Sequence, residues 1–374
     1  MGVYEELGVK RLINAWGPMT IVGGSRMRPE VLAAMVEASP TFVNILELQE
    51  KAGQRIADLI GVEACYIAGG CAAGLAIATA ACVAGIDRAA IARLPDTSGL
   101  KNEIVIARLH RNGYDLAIRQ VGVRLVEIGH GRGFQEWELD AAIGPNTAAV
   151  AYVYARWTFD LPLSLAETVR IAHGRGVPVI ADAAAEVPPF RNLRGLSQTG
   201  ADLVVVSGGK GIMGPQNTGL VLGRRDLIAA CTANASPNHS LGRSMKVSKE
   251  EMVGIWKAVE LYVKQDHVAA ERRWHEQVET VMRALGDVPG VRVQKAEAAY
   301  SEGIPVAKLI VDPKLAGRSA ADVAAALMEG DPGVRLHQER DWLSVNPQFL
   351  EPGEERIVVQ RLRAALGARE PALA

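Results

Sequence analysis

Two short segments carry residue types that could do chemistry together: Asp182-Ala-Ala-Ala-Glu186 and Ser207-Gly-Gly-Lys210-Gly211. Each follows an aliphatic, β-branched run, so an acid stands at the end of one buried strand and a lysine just past another. In an open α/β sheet the ligand crevice lies beyond the carboxyl ends of the strands. An amine and a carboxylate in that crevice are what pyridoxal 5′-phosphate requires. The lysine holds the aldehyde as a Schiff base, and the acid keeps the pyridine nitrogen protonated so that the ring accepts electrons. Read alone, Asp182 is equally a cap for the segment after it; the lysine past the next strand favours the cofactor. Gly208, Gly209 and Gly211 are expected to let the backbone approach a bulky ligand and leave the Lys210 amine unencumbered. Ser207 either donates to the phosphate or serves the turn.

The phosphate needs an anion site of its own. Gly69-Gly70-Cys71-Ala72-Ala73-Gly74 lies between a short strand and an Ala-rich helix, where free backbone amides and the helix dipole converge. Gly70, Cys71, Ala72 and Ala73 are the candidate phosphate-binding residues. The competing reading of such a Gly/Ala-rich entry is close helix packing.

These residues need a scaffold of alternating strands and helices. Apolar, β-rich runs fall at 65–68, 103–107, 123–128, 148–153, 177–181, 202–206 and 219–222, with a helical segment at 164–173 among them. The order is βαβ, which predicts an α/β fold with a mostly parallel sheet flanked by helices. Residues 46–60 show helical spacing and stop at Gly61. Ser248 and Glu251 form a capping box ahead of an apolar stripe through Met252, Ile255, Trp256 and Val259, predicting one helix that runs on through the charged stretch at 271–275. Strands at 291–294, 306–310 and 342–345 and helices at 320–328 and 354–366 read as a small C-terminal α/β domain. The expected organisation is an N-terminal arm (1–45), a large cofactor-binding domain (46–247), a linking helix (248–284) and a small domain (285–374).

Composition narrows the partners. The 374 residues suffice for one large and one smaller core, and 41 basic against 42 acidic side chains leave a net charge of −1. No field favours nucleic acid or an anionic membrane, so a small molecule is the expected partner. Cys65, Cys71, Cys82 and Cys231 show neither metal-ligand spacing nor disulfide density, and no metal is expected. The first residues, with Glu5 and Glu6 and no apolar run, do not read as a signal peptide. The apolar stretch 72–86 is too short for a span and reads as a buried helix. A cytoplasmic location is expected.

The segments Ile13-Asn-Ala-Trp-Gly17, Leu94-Pro-Asp-Thr-Ser-Gly99, Leu109-His-Arg-Asn-Gly-Tyr114, Asp182-Ala-Ala-Ala-Glu186, Ser207-Gly-Gly-Lys210 and Leu241-Gly-Arg-Ser-Met-Lys-Val247 resemble the fold-type I pyridoxal phosphate enzymes related to selenocysteine synthase. Within that group they resemble the D-glucosaminate-6-phosphate ammonia-lyase subgroup. The resemblance implies that Lys210 is the Schiff-base lysine, Asp182 the partner of the pyridine nitrogen, and 70–73 the phosphate turn. It implies His110 as the ring over the cofactor face, with a surface imidazole as the alternative. Arg111 beside it either meets an anionic substrate group or is a solvated loop charge. Selenocysteine synthase carries an additional N-terminal region for its transfer RNA, whereas this chain starts almost directly at the Asn14 motif, so transfer-RNA chemistry is not expected. Ala155-Arg-Trp-Thr-Phe159 departs from the polar, His-containing segment of the ammonia-lyases, and Arg156 with Trp157 is expected either to shape a different substrate pocket or to pack its aromatics under the next helix.

An amino acid substrate calls for a bidentate arginine at its carboxylate. Arg335, ahead of Leu336, and Arg243, in a loop that relatives place near a neighbouring subunit's site, are the candidates; Asn346 either reaches the crevice or turns the chain. The resemblance and the prevalence of two-fold symmetry imply a homodimer or higher symmetric homo-oligomer. The expected reaction is removal of ammonia by α,β-elimination from a hydroxylated amino acid or amino sugar acid, giving a 2-oxo acid. Aldol cleavage, racemisation, selenium or sulfur transfer, or a non-catalytic cofactor-binding role are the alternatives on the same scaffold.

Overall fold

The computed structural model describes residues 2–299 and 301–368. The strands run in chain order as β1 (Leu12–Ala15), β2 (Ala64–Ala68), β3 (Glu103–Ala107), β4 (Arg124–Ile128), β5 (Thr147–Val153), β6 (Val179–Asp182), β7 (Leu203–Ser207), β8 (Gly219–Gly223), β9 (Val291–Glu297), β10 (Pro305–Val311), β11 (Gly333–Gln338) and β12 (Trp342–Val345). They sort into two compact units, residues 27–265 and residues 1–26 with 266–374.

The larger unit is built on a seven-stranded sheet in the order β2-β8-β7-β6-β5-β3-β4. Its neighbours are parallel except that β8 runs against both β2 and β7. All seven residues of β5 are buried, the signature of a strand covered on both faces. One face packs on helices Ile45–Ile60, Leu165–Gly174 and Lys249–Lys264, and the other on Cys71–Ala84. Cys71–Ala84 is apolar all round because it is enclosed all round: eleven of its residues are buried. Helix Ile45–Ile60 ends where anticipated, with Gly61 in the left-handed region at φ 79°.

The expected strands are present within a residue or two, except that β9 runs three residues further, to Glu297, and the larger sheet is mostly parallel. The domain boundaries differ from the expectation in two ways. The stretch 248–284 is two helices, Lys249–Lys264 and His267–Leu285, because Gln265 turns extended (ψ 144°) and Asp266 caps the second helix by accepting from the Ala269 N–H. The first helix packs in the larger unit and the second in the smaller. The N-terminal segment is likewise divided. Residues 1–26 join the smaller unit because β1 pairs in parallel with β11, and residues 29–38 pack as a helix on Lys249–Lys264.

The smaller unit has a five-stranded sheet in the order β1-β11-β12-β10-β9. Ile13, Ala15, Val334, Leu336, Ala307, Leu309, Leu343 and Val345 fill one face and pack with Val281, Leu327 and Val358 from its helices. The alternate residues face the other way. Among the described residues no helix is long and apolar enough to cross a membrane, and the four cysteines are free.

Candidate active site

The strand ends of the larger unit bring the predicted residues together. β6 ends in Asp182 and the adjacent β7 ends in Ser207, with Lys210 in the turn that follows. The turn is held by Gly208 N–H to Thr218 O (2.9 Å), Gly214 N–H to Gly208 O (2.8 Å) and Met213 N–H to Lys210 O (2.9 Å). Burial pushes the Asp182 carboxyl above its ordinary pKa, opposed by the Ala184 N–H that donates to Oδ1 at 3.1 Å and by the positive charge of Lys210. A buried carboxylate held by so few donors has room for a cationic partner.

The candidate phosphate turn is the start of the helix after β2. Gly70 is the N-cap of helix Cys71–Ala84 at φ 88°, and no side chain caps the helix. The first-turn amides of Cys71, Ala72 and Ala73 have no carbonyl partner within the helix, while Gly74 already bonds Gly70 O at 2.9 Å. The Cys71 thiol is pushed up to about 12, first by burial and then by the Asp182 charge, so it stays a neutral thiol. The charges of Lys210 and Asp182 both act on this thiol, so the amine, the carboxylate and the helix start lie near one another.

His110 follows β3 and is 1% exposed. Its Nδ1 accepts from the Val153 N–H at 3.4 Å, while its Nε2 is buried with no hydrogen-bond partner. Its ring meets Tyr152 edge-on at 4.4 Å and Phe134 at 6.1 Å. Burial lowers its pKa to about 4, so the imidazole is neutral at physiological pH. Both His110 and Asp182 line one narrow cleft, about 10 Å³ in volume, with Asn112, Tyr114 and Tyr152. The surface-imidazole alternative is thereby removed.

Other expectations are redistributed. The glycines around Lys210 make room for the protein's own chain: a Cβ on Gly208 would come within 2.3 Å of Thr218, on Gly209 within 2.4 Å of Gln216, and on Gly211 within 2.1 Å of Val187 O. The expected approach of a ligand is not the reason for them. Arg111 is engaged, donating from Nε to Asp115 at 2.5 Å and pairing with Glu127, so its charge is spent inside the fold. Arg156, at the start of a short 3-10 turn, and Arg243, on a loop, are exposed on the larger unit. Arg335 lies on β11 of the smaller unit, its guanidinium 4.8 Å over the Trp16 ring. The Asn346 side chain is taken by a turn, accepting from the Gln348 N–H at 2.9 Å.

Sequence reasoning missed Gly219 and the loop at 245–246. A Cβ on Gly219 would sit 2.7 Å from the carbonyl carbon of Gly70 and 2.9 Å from the amide of Cys71, so only glycine lets β8 begin against the phosphate turn. Met245 O lies 3.1 Å from where a Cβ on Gly69 would be, so this loop backs the same turn. The available signal was a glycine opening an otherwise aliphatic run, Leu220-Val-Leu222.

The donor set fits pyridoxal phosphate. Free amides at an uncapped helix start match a phosphate, a buried carboxylate matches a ring cation, an amine stands beside them, and His110 Nε2 is a buried donor lacking a partner. With the sheet order, this defines a pyridoxal phosphate enzyme of fold type I. A family model for L-seryl-tRNA selenium transferase (SelA) matches residues 20–273, and the chain belongs to that family. It is 36% identical to a D-glucosaminate-6-phosphate ammonia lyase of Salmonella typhimurium, over 96% of this chain and 97% of that one. It is also 36% identical to a 5′-C-glycyluridine monooxygenase-decarboxylase of a Streptomyces species, over 97% of this chain and 92% of the other. The solved structure of D-glucosaminate-6-phosphate ammonia-lyase superposes with a TM-score of 0.85 at 35% identity, covering 98% of both chains.

Proposed function

We propose that this chain is a pyridoxal phosphate-dependent ammonia-lyase that eliminates across the α and β carbons of a hydroxylated amino acid or amino sugar acid. The observation that carries the reading is the convergence of Lys210, Asp182 and the uncapped turn at Gly70 in a chain that matches an ammonia-lyase along nearly its whole length. Bound cofactor supplies an aldehyde for the substrate amine and a ring that accepts the electrons left at the α-carbon. The residues of the chain do the rest. The amides of Cys71, Ala72 and Ala73 anchor the phosphate, and Asp182 holds the proton on the pyridine nitrogen. Lys210 Nζ takes the α-proton and, now protonated, gives a proton to the β-hydroxyl as it leaves as water. The freed enamine takes up water and yields a 2-oxo acid and ammonia. The neutral His110 ring, set by Tyr152 and Phe134, would help to hold the cofactor in the crevice.

Cytoplasmic location is supported by four unpaired cysteines, and a symmetric homo-oligomer by the apolar side chains left outside on the larger unit, Phe42 above all at 99% exposure. A second reading is favoured by the equal identity to the monooxygenase-decarboxylase: oxidative decarboxylation at the same lysine. The deciding experiment screens hydroxylated D- and L-amino acids and amino sugar acids, with and without phosphate, for ammonia, 2-oxo acid and oxygen uptake. Ammonia and oxo acid in equal amounts, without oxygen uptake and lost in Lys210→Ala, are expected. Oxygen consumption with carbon dioxide release would overturn the elimination.

A further inference from the structure

The smaller unit holds a cleft of about 400 Å³ whose lining residues all belong to that unit and which the proposed elimination does not use. Helix His267–Leu285 supplies one wall, presenting Arg273, Glu276, Gln277 and Thr280 at the i, i+3, i+4, i+7 spacing that sets side chains on one helix face. The start of helix Glu354–Ala365 supplies the other, with Glu355 and Arg356. A Cβ on Gly353, at that start, would meet nothing within 4 Å, so the cleft is open there.

The decisive observation is at Gln277. It is 5% exposed, and its Nε2 donates to Glu355 Oε2 at 3.3 Å and to Leu350 O at 3.5 Å. Both partners are acceptors, which fixes the way the amide points, and its Oε1 is left buried with no hydrogen-bond partner. An orphaned acceptor in a cleft wall calls for a donor from outside the chain. Thr280, on the same face, offers a second acceptor, because its hydroxyl hydrogen is spent on Glu276 O at 2.9 Å. The charges around these acceptors are of both signs. Among the described residues neither Arg273 nor Glu276 has an ion-pair partner, not even the other across one turn, and Arg356 reaches only Glu355, at 4.0 Å. The Glu355 carboxylate is already engaged by Gln277 and by the Gly353 N–H at 2.9 Å.

Two acceptors beside a carboxylate match an ammonium, which brings three donors, and two guanidinium groups match a carboxylate. A simple anion would leave Gln277 Oε1 unsatisfied, and a simple amine would leave both guanidinium groups without a partner of their own. We infer that this cleft binds a free α-amino acid, with Gln277 Oε1, Thr280 Oγ1 and Glu276 receiving its ammonium and Arg273 and Arg356 its carboxylate. The inference does not rest on the elimination reading, since binding here involves neither Lys210 nor turnover.

Calorimetric titration of the full-length, cofactor-loaded protein with L-alanine, L-serine and L-glutamine tests it, with the visible absorption of the cofactor followed in parallel. An amino acid that reaches Lys210 perturbs that absorption, so binding heat without such a change reports the cleft. At least one of the three is expected to bind there. Ethanolamine, which lacks the carboxylate, and L-lactate, which lacks the ammonium, are expected to bind about tenfold more weakly or worse, the scale of one charge-assisted hydrogen bond. Arg273→Gln and Gln277→Leu are each expected to weaken the amino acid about tenfold while leaving the absorption change at the cofactor as it was. Melting curves establish that the variants fold, and because Arg273 is exposed its variant carries the test even where Gln277→Leu does not fold. Binding heat only where the absorption changes, ethanolamine or L-lactate binding as tightly as the amino acid, or an affinity unchanged in either folded variant would overturn the inference, whatever the outcome for ammonia release.

Discussion

At the scale of single residues, the site depends on two buried groups whose protonation the fold has shifted. Asp182 has its pKa raised by burial, so the folded protein holds this proton more tightly than the unfolded chain. Its contribution to apoprotein stability therefore declines as pH rises from the ordinary carboxylate value through the raised one. Asp182→Asn is expected to remove that decline in urea melts of the apoprotein while lowering kcat/KM by roughly a hundredfold or more, the scale of a lost buried ion pair. A steady-state assay beside the melts checks both halves. His110 has the opposite sign. Its pKa is lowered to about 4, so the unfolded chain binds the proton first and stability falls as pH drops from about 6.5 towards 4. Over that window the loss amounts to about 3 kcal/mol. His110→Gln should flatten this acid limb; an unchanged limb would mean that other groups set it.

At the scale of elements, the phosphate turn is a joint between the start of helix Cys71–Ala84 and the start of β8. Because the neighbours of Gly219 are backbone atoms, Gly219→Ala cannot be relieved by a side chain moving aside. The turn itself must shift. Overpacking of this kind costs about 1–3 kcal/mol, so cofactor affinity should drop about tenfold, read by fluorescence titration, with catalysis by the loaded enzyme less affected. Local signals made most elements legible: the aliphatic runs of β3, β5 and β7, the stop at Gly61 and the capping box at Ser248. The break at Gln265 was harder to see. Charged residues continue across it, and the only mark is Asp266, an N-cap whose role depends on the chain turning extended one residue earlier. β11 was missed because its alternation is short, with only Val334 and Leu336 facing the core, interleaved with Arg335 and His337.

For the whole molecule, the proposed homo-oligomer is testable at the apolar side chains left outside. Val36 at 72%, Phe42 at 99% and Val43 at 51% exposure lie close together in sequence on the larger unit, more than scattered surface residues explain. Phe42→Ser is expected to shift the assembly towards smaller species by light scattering while leaving the far-ultraviolet circular dichroism unchanged; an unaltered mass would place the subunit contacts elsewhere.

The sequence by itself determined the alternation of strands and helices, the acid at the end of one strand and the lysine past the next, because these are written in local periodicity and in residues next to one another in the chain. It also offered the glycine-led helix start at Gly70 as a candidate anion site, whereas the packing of Gly219 and Met245 against that turn was decided by the tertiary structure. Only the tertiary structure decided that the glycines beside Lys210 accommodate Thr218, Gln216 and Val187, that Arg111 is held by Asp115 and Glu127, and that the first strand belongs with the last sheet. Each of these is a contact between residues far apart in the chain or on different turns of it. Such contacts are fixed by packing in three dimensions, which a one-dimensional pattern of propensity and hydrophobicity does not encode.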